Sequence, residues 1–215
     1  MTAVRVSIWP THEIIFPGQL TLLPETEPWM RTVVRLCRGE RAPAALIQIS
    51  EQMEHRLSRV GTLVNFLDFE ESSYPAGPHL AVGHTRFKVL SVHYDRPYPE
   101  ATVQVQPWAE TPRPPRELVV RVGDYLWRYA LALQDLMPSA LLPKLMKPSP
   151  TALAVLGAGA LKLPPSERQR LLELESTQAL LQAVLDHLRV QVPIAEQLAS
   201  VPPSASESPL GLFFN

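Results

Sequence analysis

Cysteine is almost missing from this sequence: Cys37 stands alone in 215 residues, so no internal disulfide can form. Glycine is sparse, nine residues with no every-third period, which excludes a collagen-like chain. An excess of charge of either sign is missing too. The net charge of −1 provides neither the basic field that usually marks nucleic-acid binding nor an acidic tail. No hydrophobic run is long enough to span a bilayer, and the longest, residues 151–161, suits a buried helix. No basic-then-apolar leader opens the chain, so a soluble cytoplasmic protein with no membrane partner is expected.

Proline is what the sequence has in excess: 23 residues, roughly twice the usual share of about 5%. With 46% hydrophobic residues and near-zero net charge, this does not signal global disorder. A chain of this length can bury about 70% of its extended surface. The prolines punctuate short periodic segments. Thirteen of the fifteen aromatic residues lie at or before Tyr129, in a part rich in β-branched residues. None occurs from 130 to 212, where Leu and Ala dominate. A β lobe followed by an α lobe is expected.

Val4, Val6 and Ile8 alternate with Arg5 and Ser7, a strand that Pro10 ends. Residues 19–23 follow the Pro17-Gly18 turn as a second strand. Trp29, Val33, Leu36 and Cys37 have helical spacing, with Pro28 at the start and Gly39 at the end. Residues 44–49 are an apolar run and 60–69 a long strand. Leu80 and Val82 mark a short strand, and 86–94 and 101–106 two more. About six short strands between Pro, Gly and polar turns imply a closed or half-closed barrel.

Three prolines within 111–115 make a stiff connector. Leu118, Val122, Tyr125, Tyr129, Leu133 and Leu136 then step by three and four along an amphipathic helix. Ser149-Pro150 starts a helix to about Lys162, and Pro164-Pro165-Ser166 another through Glu173. A last helix from about Ser176 is lined by Leu181, Val184, Leu185, Leu188 and Val192, until Pro193 ends or kinks it. The expected chain is α+β. A twisted β pseudo-barrel of about six strands and one helix spans 1–110, with a connector at 111–116. A C-terminal α-helical bundle follows at 117–199, then a flexible tail at 200–215.

Most catalytic signatures are absent. There is no phosphate-cradling G-x-x-x-x-G-K-[ST] and no G-x-S-x-G elbow. Gly157-Ala158-Gly159-Ala160 lacks the third glycine and the preceding strand of a dinucleotide loop, and reads as small residues in a close-packed helix. His12-Glu13 has no second His four residues on. Strand residues nine apart, such as His84 and His93, can face each other across a barrel, but no carboxylate or Cys joins His12, His55, His79, His84, His93 or His187 at ligand spacing. Neither a metal nor a cofactor is expected. Cys37 shares a helix face with Trp29 and Val33 and reads as a small buried hydrophobe. Arg31, Arg35 and Arg38 form a basic stripe on the opposite face, either a solvated surface or a patch for phosphate or an acidic partner. Arg113, Arg116 and Arg121 carry the same ambiguity. Leu210, Leu212, Phe213 and Phe214 in the tail either dock or fray.

Several stretches resemble one family. Ile15-Phe16-Pro17-Gly18 with Leu20, Leu22, Glu27-Pro28 and Arg31 is similar to the opening of the N-terminal substrate-binding domain of Lon proteases. Val60-Gly61-Thr62-Leu63-Val64, then Gly83 with Arg86-Phe87-Lys88-Val89-Leu90, resemble two of its strands, and Pro97-Tyr98, Ala101 and Val103 the strand that follows. Leu163-Pro164-Pro165, Glu167, Gln169 and Leu171-Leu172 resemble its helical part. Two stretches depart from the pattern: Pro24-Glu25-Thr26 stands before Glu27-Pro28, and Pro43-Ala44 replaces the usual Phe-Gly. The resemblance spans roughly residues 4–190. It implies a PUA-like barrel and a bundle that recognise unfolded or tagged polypeptides. The ATPase and Ser-Lys protease of such enzymes lie downstream, so a stand-alone copy that binds and does not cut is expected, a candidate adaptor in protein quality control.

The expected partners are partly unfolded polypeptides, held by burial of apolar side chains or by strand addition at an open edge. Trp108, Trp127 and Arg128 are the candidate residues of the inter-lobe surface, with filling of the inter-lobe core the alternative for both tryptophans. RNA binding through the barrel is a second reading and requires a continuous basic surface. A hydrolase is a third, with Ser139 and Lys144 the nearby Ser-Lys pair.

Overall fold

A computed structural model describes residues 3–50, 56–67, 78–133 and 148–200. Seven strands come first: β1 (Ala3–Thr11), β2 (Leu20–Leu23), β3 (Ala44–Ser50), β4 (Arg56–Leu57), β5 (Val60–Phe66), β6 (His79–His93) and β7 (Glu100–Val105). Helix α1 (Met30–Glu40) lies between β2 and β3. Helices α2 (Arg116–Ala132), α3 (Pro150–Ala160), α4 (Pro165–Glu173) and α5 (Thr177–Ser200) follow the last strand. The fold is α+β, a barrel and then a bundle.

Strand pairing closes a ring, β1-β7-β6-β5-β3, through a parallel β1–β3 contact. Val6, Ile8, Ile47, Leu63, Phe87, Ala101 and Val103 fill its interior. Closure removes most of the sheet edge that would otherwise invite association. Two short strands stay outside the ring: β2 pairs with the start of β6, and β4 with the end of β3. Helix α1 buries Met30, Val33, Val34 and Cys37 against Trp9, Leu46, Val64 and Ala81.

The structure corrects four local expectations. Pro10 does not end β1 but pairs in register with Ile47. The Ile8 amide donates to Pro99 on the β7 side, so two residues on the Pro10 nitrogen faces the same way, past the end of β7, where no ladder donor is needed. The segments at 80–82 and 86–94 are one strand, β6, because Gly83 is a contact point and not a break. A Cβ there would lie 2.5 Å from the Phe16 carbonyl oxygen. Pro193 lies inside α5, which continues to Ser200. Pro193 and Arg189, whose carbonyl loses its helical donor, are both exposed and reach water, while Val192 and Ala195 anchor the helix on its other side.

The fourth correction concerns the end of α1. Gly39 is helical, and Arg41 takes the left-handed conformation at φ 53°. The Ala42 amide donates to Cys37 and that of Arg41 to Arg38, which satisfies the last carbonyls. A side chain in this conformation costs about 1 kcal/mol. Arg41→Gly is therefore expected to raise stability by up to about 1 kcal/mol, read as a higher urea midpoint at unchanged slope.

The turn before β2 follows its residues closely. Gln19 donates to the Phe16 carbonyl, Gly18 has φ +86°, and Pro17 precedes it, the pattern of a type II turn. Ser149 caps α3 by accepting from the Ala152 amide, with Pro150 in the first turn. Gly157 leaves room for Val184, so α3 packs directly on α5.

Candidate functional site

The junction between barrel and bundle is filled. Ile14, Phe16, Val60 and Trp108 from the barrel side belong to the same apolar cluster as Leu126, Leu153, Leu172, Leu181 and Leu185 of the bundle. Two arginines, Arg86 buried and Arg168 half-buried, tie the halves together in opposite directions. Arg86 of β6 donates to the carbonyls of Leu172 at 2.7 Å, Gln106 at 2.9 Å and Glu173 at 3.2 Å. Arg168 of α4 donates to the Ile14 carbonyl, to the Leu161 carbonyl and to Gln19 Oε1. Leu172 and Glu173 close α4, and Leu161 closes α3. Each cation thus meets a helix C-terminus, where unpaired carbonyls and the helix dipole favour positive charge. Burial lowers both arginine pKa values from their ordinary range, opposed by Glu175 and Glu173 for Arg86 and by Glu13 for Arg168.

Trp108 sits inside this junction at 5% exposure, its ring centroid 5.3 Å from the Arg86 guanidinium carbon. Its indole N–H meets no acceptor among the described residues. Trp127 is 44% exposed on α2. Arg128 makes a two-pronged pair with Glu196, both contacts at 2.9 Å, and lies over Tyr125. Thr177 at the start of α5 bonds Ala109, beside Trp108. Glu196 is nineteen residues further along α5, about 28 Å at the helical rise. The structure therefore holds Arg128 at the far end of the bundle and does not bring it together with Trp108.

The open surface lies on the barrel. β2 has β6 as its strand partner and leaves its other edge unpaired among the described residues. Leu20 and Leu22 stand on one face of β2, 63% and 58% exposed, opposite Val82 and Leu80. These four side chains make an apolar sheet face beside an open edge. Just past β2, the Glu25 carboxylate is 2.9 Å from Arg31 of α1 and 2.6 Å from Nε2 of His79, the residue paired with Leu23. Burial acts to raise the Glu25 pKa, but the hydrogen bonds from Arg31 and His79 outweigh it and hold the carboxyl below its ordinary value. This anionic hub fixes the end of β2 to α1 and to β6. The sequence reading found β2 but assigned it no role, because periodicity does not show which strand is left at an edge.

The remaining candidates fall into place individually. Arg31 serves Glu25, Arg38 donates to the Leu67 carbonyl, and Arg35, Arg113, Arg116 and Arg121 are exposed. Burial pushes the Cys37 thiol up to about 11, with Glu40 adding to the shift, so it stays protonated and unreactive. His84 and His93 do not face each other, since both lie on β6, nine residues and about 30 Å apart. No metal-ligating cluster occurs among the described residues. Among them, no helix is long and apolar enough to cross a membrane. Ser139, Lys144, His55, Leu136 and the tail residues Leu210, Leu212, Phe213 and Phe214 lie outside the described residues.

The barrel-and-bundle fold is similar to that of solved Lon N-terminal domains. The N-terminal domain of the Mycobacterium avium complex Lon protease is 16% identical, with a TM-score of 0.68, over 86% of this chain and 98% of that one. The Lon N-terminal domain protein from Xanthomonas campestris is 17% identical, with a TM-score of 0.64, over 85% of this chain and 98% of that one. At such identities the likeness shows the fold. Comparison with curated proteins gives no match. The family itself is shown by sequence: residues 5–190 match the model of the ATP-dependent protease La (LON) substrate-binding domain, and the chain belongs to that family.

Proposed function

We propose that this chain binds exposed apolar segments of partly unfolded polypeptides without cutting them, as an adaptor in protein quality control. The observation that carries the reading is the Leu20–Leu22 face beside the unpaired edge of β2. An incoming extended segment adds to β2 through main-chain hydrogen bonds and packs alternate side chains on Leu20 and Leu22. Family membership in the substrate-binding domains supports the same role. So does the matched region, which is a substrate-binding domain and not an ATPase or protease.

The test is a titration of a reduced, alkylated model protein followed by fluorescence anisotropy. Burying two leucines contributes about 3 kcal/mol. The double variant Leu20→Ser, Leu22→Ser is expected to weaken binding by at least about tenfold while leaving the urea midpoint unchanged. Unchanged affinity in the folded variant would remove the β2 face from the mechanism.

A further inference from the structure

A second opening in the barrel has a different character. β5 pairs with β6 only up to Val60 opposite Lys88, where the Val89 amide donates to the Arg59 carbonyl. From there the chain before β5 turns away to join β4, which pairs with the end of β3. β6 runs on to His93 with β7 alone as partner, and its register against β7 shifts between Val89 and Ser91. The diverging strands leave a groove of about 360 Å³ lined by Leu57, Ser58, Arg59 and residues 88–92.

The lining is chemically one-sided. Arg59 and Lys88 are exposed at its rim and make no ion pair among the described residues. No carboxylate lines the groove. Ser58 and Ser91 supply hydroxyls, and Leu90, 52% exposed, supplies an apolar surface. An unpaired strand edge flanked by two free cations is complementary to an extended chain that carries negative charge.

We propose that this groove takes an acidic, extended polypeptide segment, which pairs as a strand along β6 at residues 90–92 while its carboxylates are held by Arg59 and Lys88. The inference rests on the polypeptide-binding reading and adds to it a second, charge-selective subsite. β2 selects apolar side chains, and the groove selects acidic ones. The two subsites use opposite edges and opposite ends of the same long strand.

The test uses the full chain and two short labelled peptides of alternating valine and a charged residue, aspartate in one and lysine in the other. The aspartate peptide is expected to bind at least about tenfold more tightly, with an affinity that falls as salt rises. Hydrogen exchange is expected to slow within residues 90–92 when it binds. The double variant Arg59→Gln, Lys88→Gln is expected to lose the preference for aspartate while binding the alkylated model protein as before. Equal binding of the two peptides, an unaltered preference in the double variant, or protection confined to β2 would overturn the proposal. So would displacement of the aspartate peptide by equimolar single-stranded RNA, which would assign the groove to phosphate. Loss of the aspartate peptide alone, with the model protein still bound, removes this groove. Failure of both ligands to bind removes the polypeptide-binding reading with it.

Discussion

Replacing Arg86 with methionine is expected to destabilise the protein by about 3–5 kcal/mol. Methionine keeps much of the volume but donates nothing. The carbonyls of Leu172, Gln106 and Glu173 would then lose their donor at a site where Arg86 itself is only 2% exposed. Hydrogen bonds from a charged donor contribute about 1.5–3 kcal/mol each, and part of that is offset by the cost of burying the guanidinium. Arg86→Lys is expected to recover little, because a single ammonium cannot reach three carbonyls spread across two elements. Equilibrium urea unfolding of the two variants measures both effects. A loss below about 1 kcal/mol for Arg86→Met would mean that desolvation cancels the hydrogen bonds.

The second large effect is steric. Gly83→Ala places a methyl group 2.5 Å from the Phe16 carbonyl oxygen and 3.3 Å from the Thr62 methyl. The Phe16 backbone has little freedom to retreat. Its amide donates to Gln19 Oε1, Gln19 in turn bonds the Gly159 carbonyl, and the neighbouring Ile15 carbonyl accepts from Thr62. A loss of about 3 kcal/mol is expected. Gly123→Ala in α2 provides the contrast. Nothing lies within 4 Å of its added carbon, so it is expected to stabilise by about 0.5–1 kcal/mol. Thermal unfolding of the pair separates a contact glycine from a merely flexible one, and similar shifts for both would refute the steric account.

Gly83 also shows where sequence reading stops. The periodicity gives two strands, at 80–82 and 86–94, on either side of it, where the structure has the single strand β6. The structure uses its missing side chain for a close approach, which depends on the Phe16 loop lying across it. Arg86 repeats the point. Alternation along Arg86-Phe87-Lys88-Val89 places Phe87 in the barrel and Arg86 outside it, as found. Periodicity cannot tell that α4 covers that part of the outside and buries the arginine. Local signals fared better. The type II turn at Pro17-Gly18, the Ser149 cap and the proline starts of α3 and α4 were legible because each depends on a few neighbouring residues. Pro10 does not end its strand, and of the two alternatives at Pro193 the helix end is excluded, because a proline is tolerated wherever its nitrogen faces no partner, and partners are a tertiary property. For the site, the chain signals the strand that carries Leu20 and Leu22 but not that this strand is left at an edge. The groove at Arg59 and Lys88 arises only where β5 and β6 part.

The paired arginines give the molecule a cooperative unit that differs from its covalent segmentation. The proline-rich stretch around 111–115 joins two halves of different composition, yet each half places a guanidinium into the other's backbone. Phe16 and Trp108, from the barrel side, complete the apolar cluster of the bundle. Sub-global opening of either half would therefore strip donors from the helix ends of the other, and would expose apolar surface that neither half can cover alone. Native-state hydrogen exchange is therefore expected to find the most resistant amide protons in β5, β6, α4 and α5 together, as one foldon that crosses the connector.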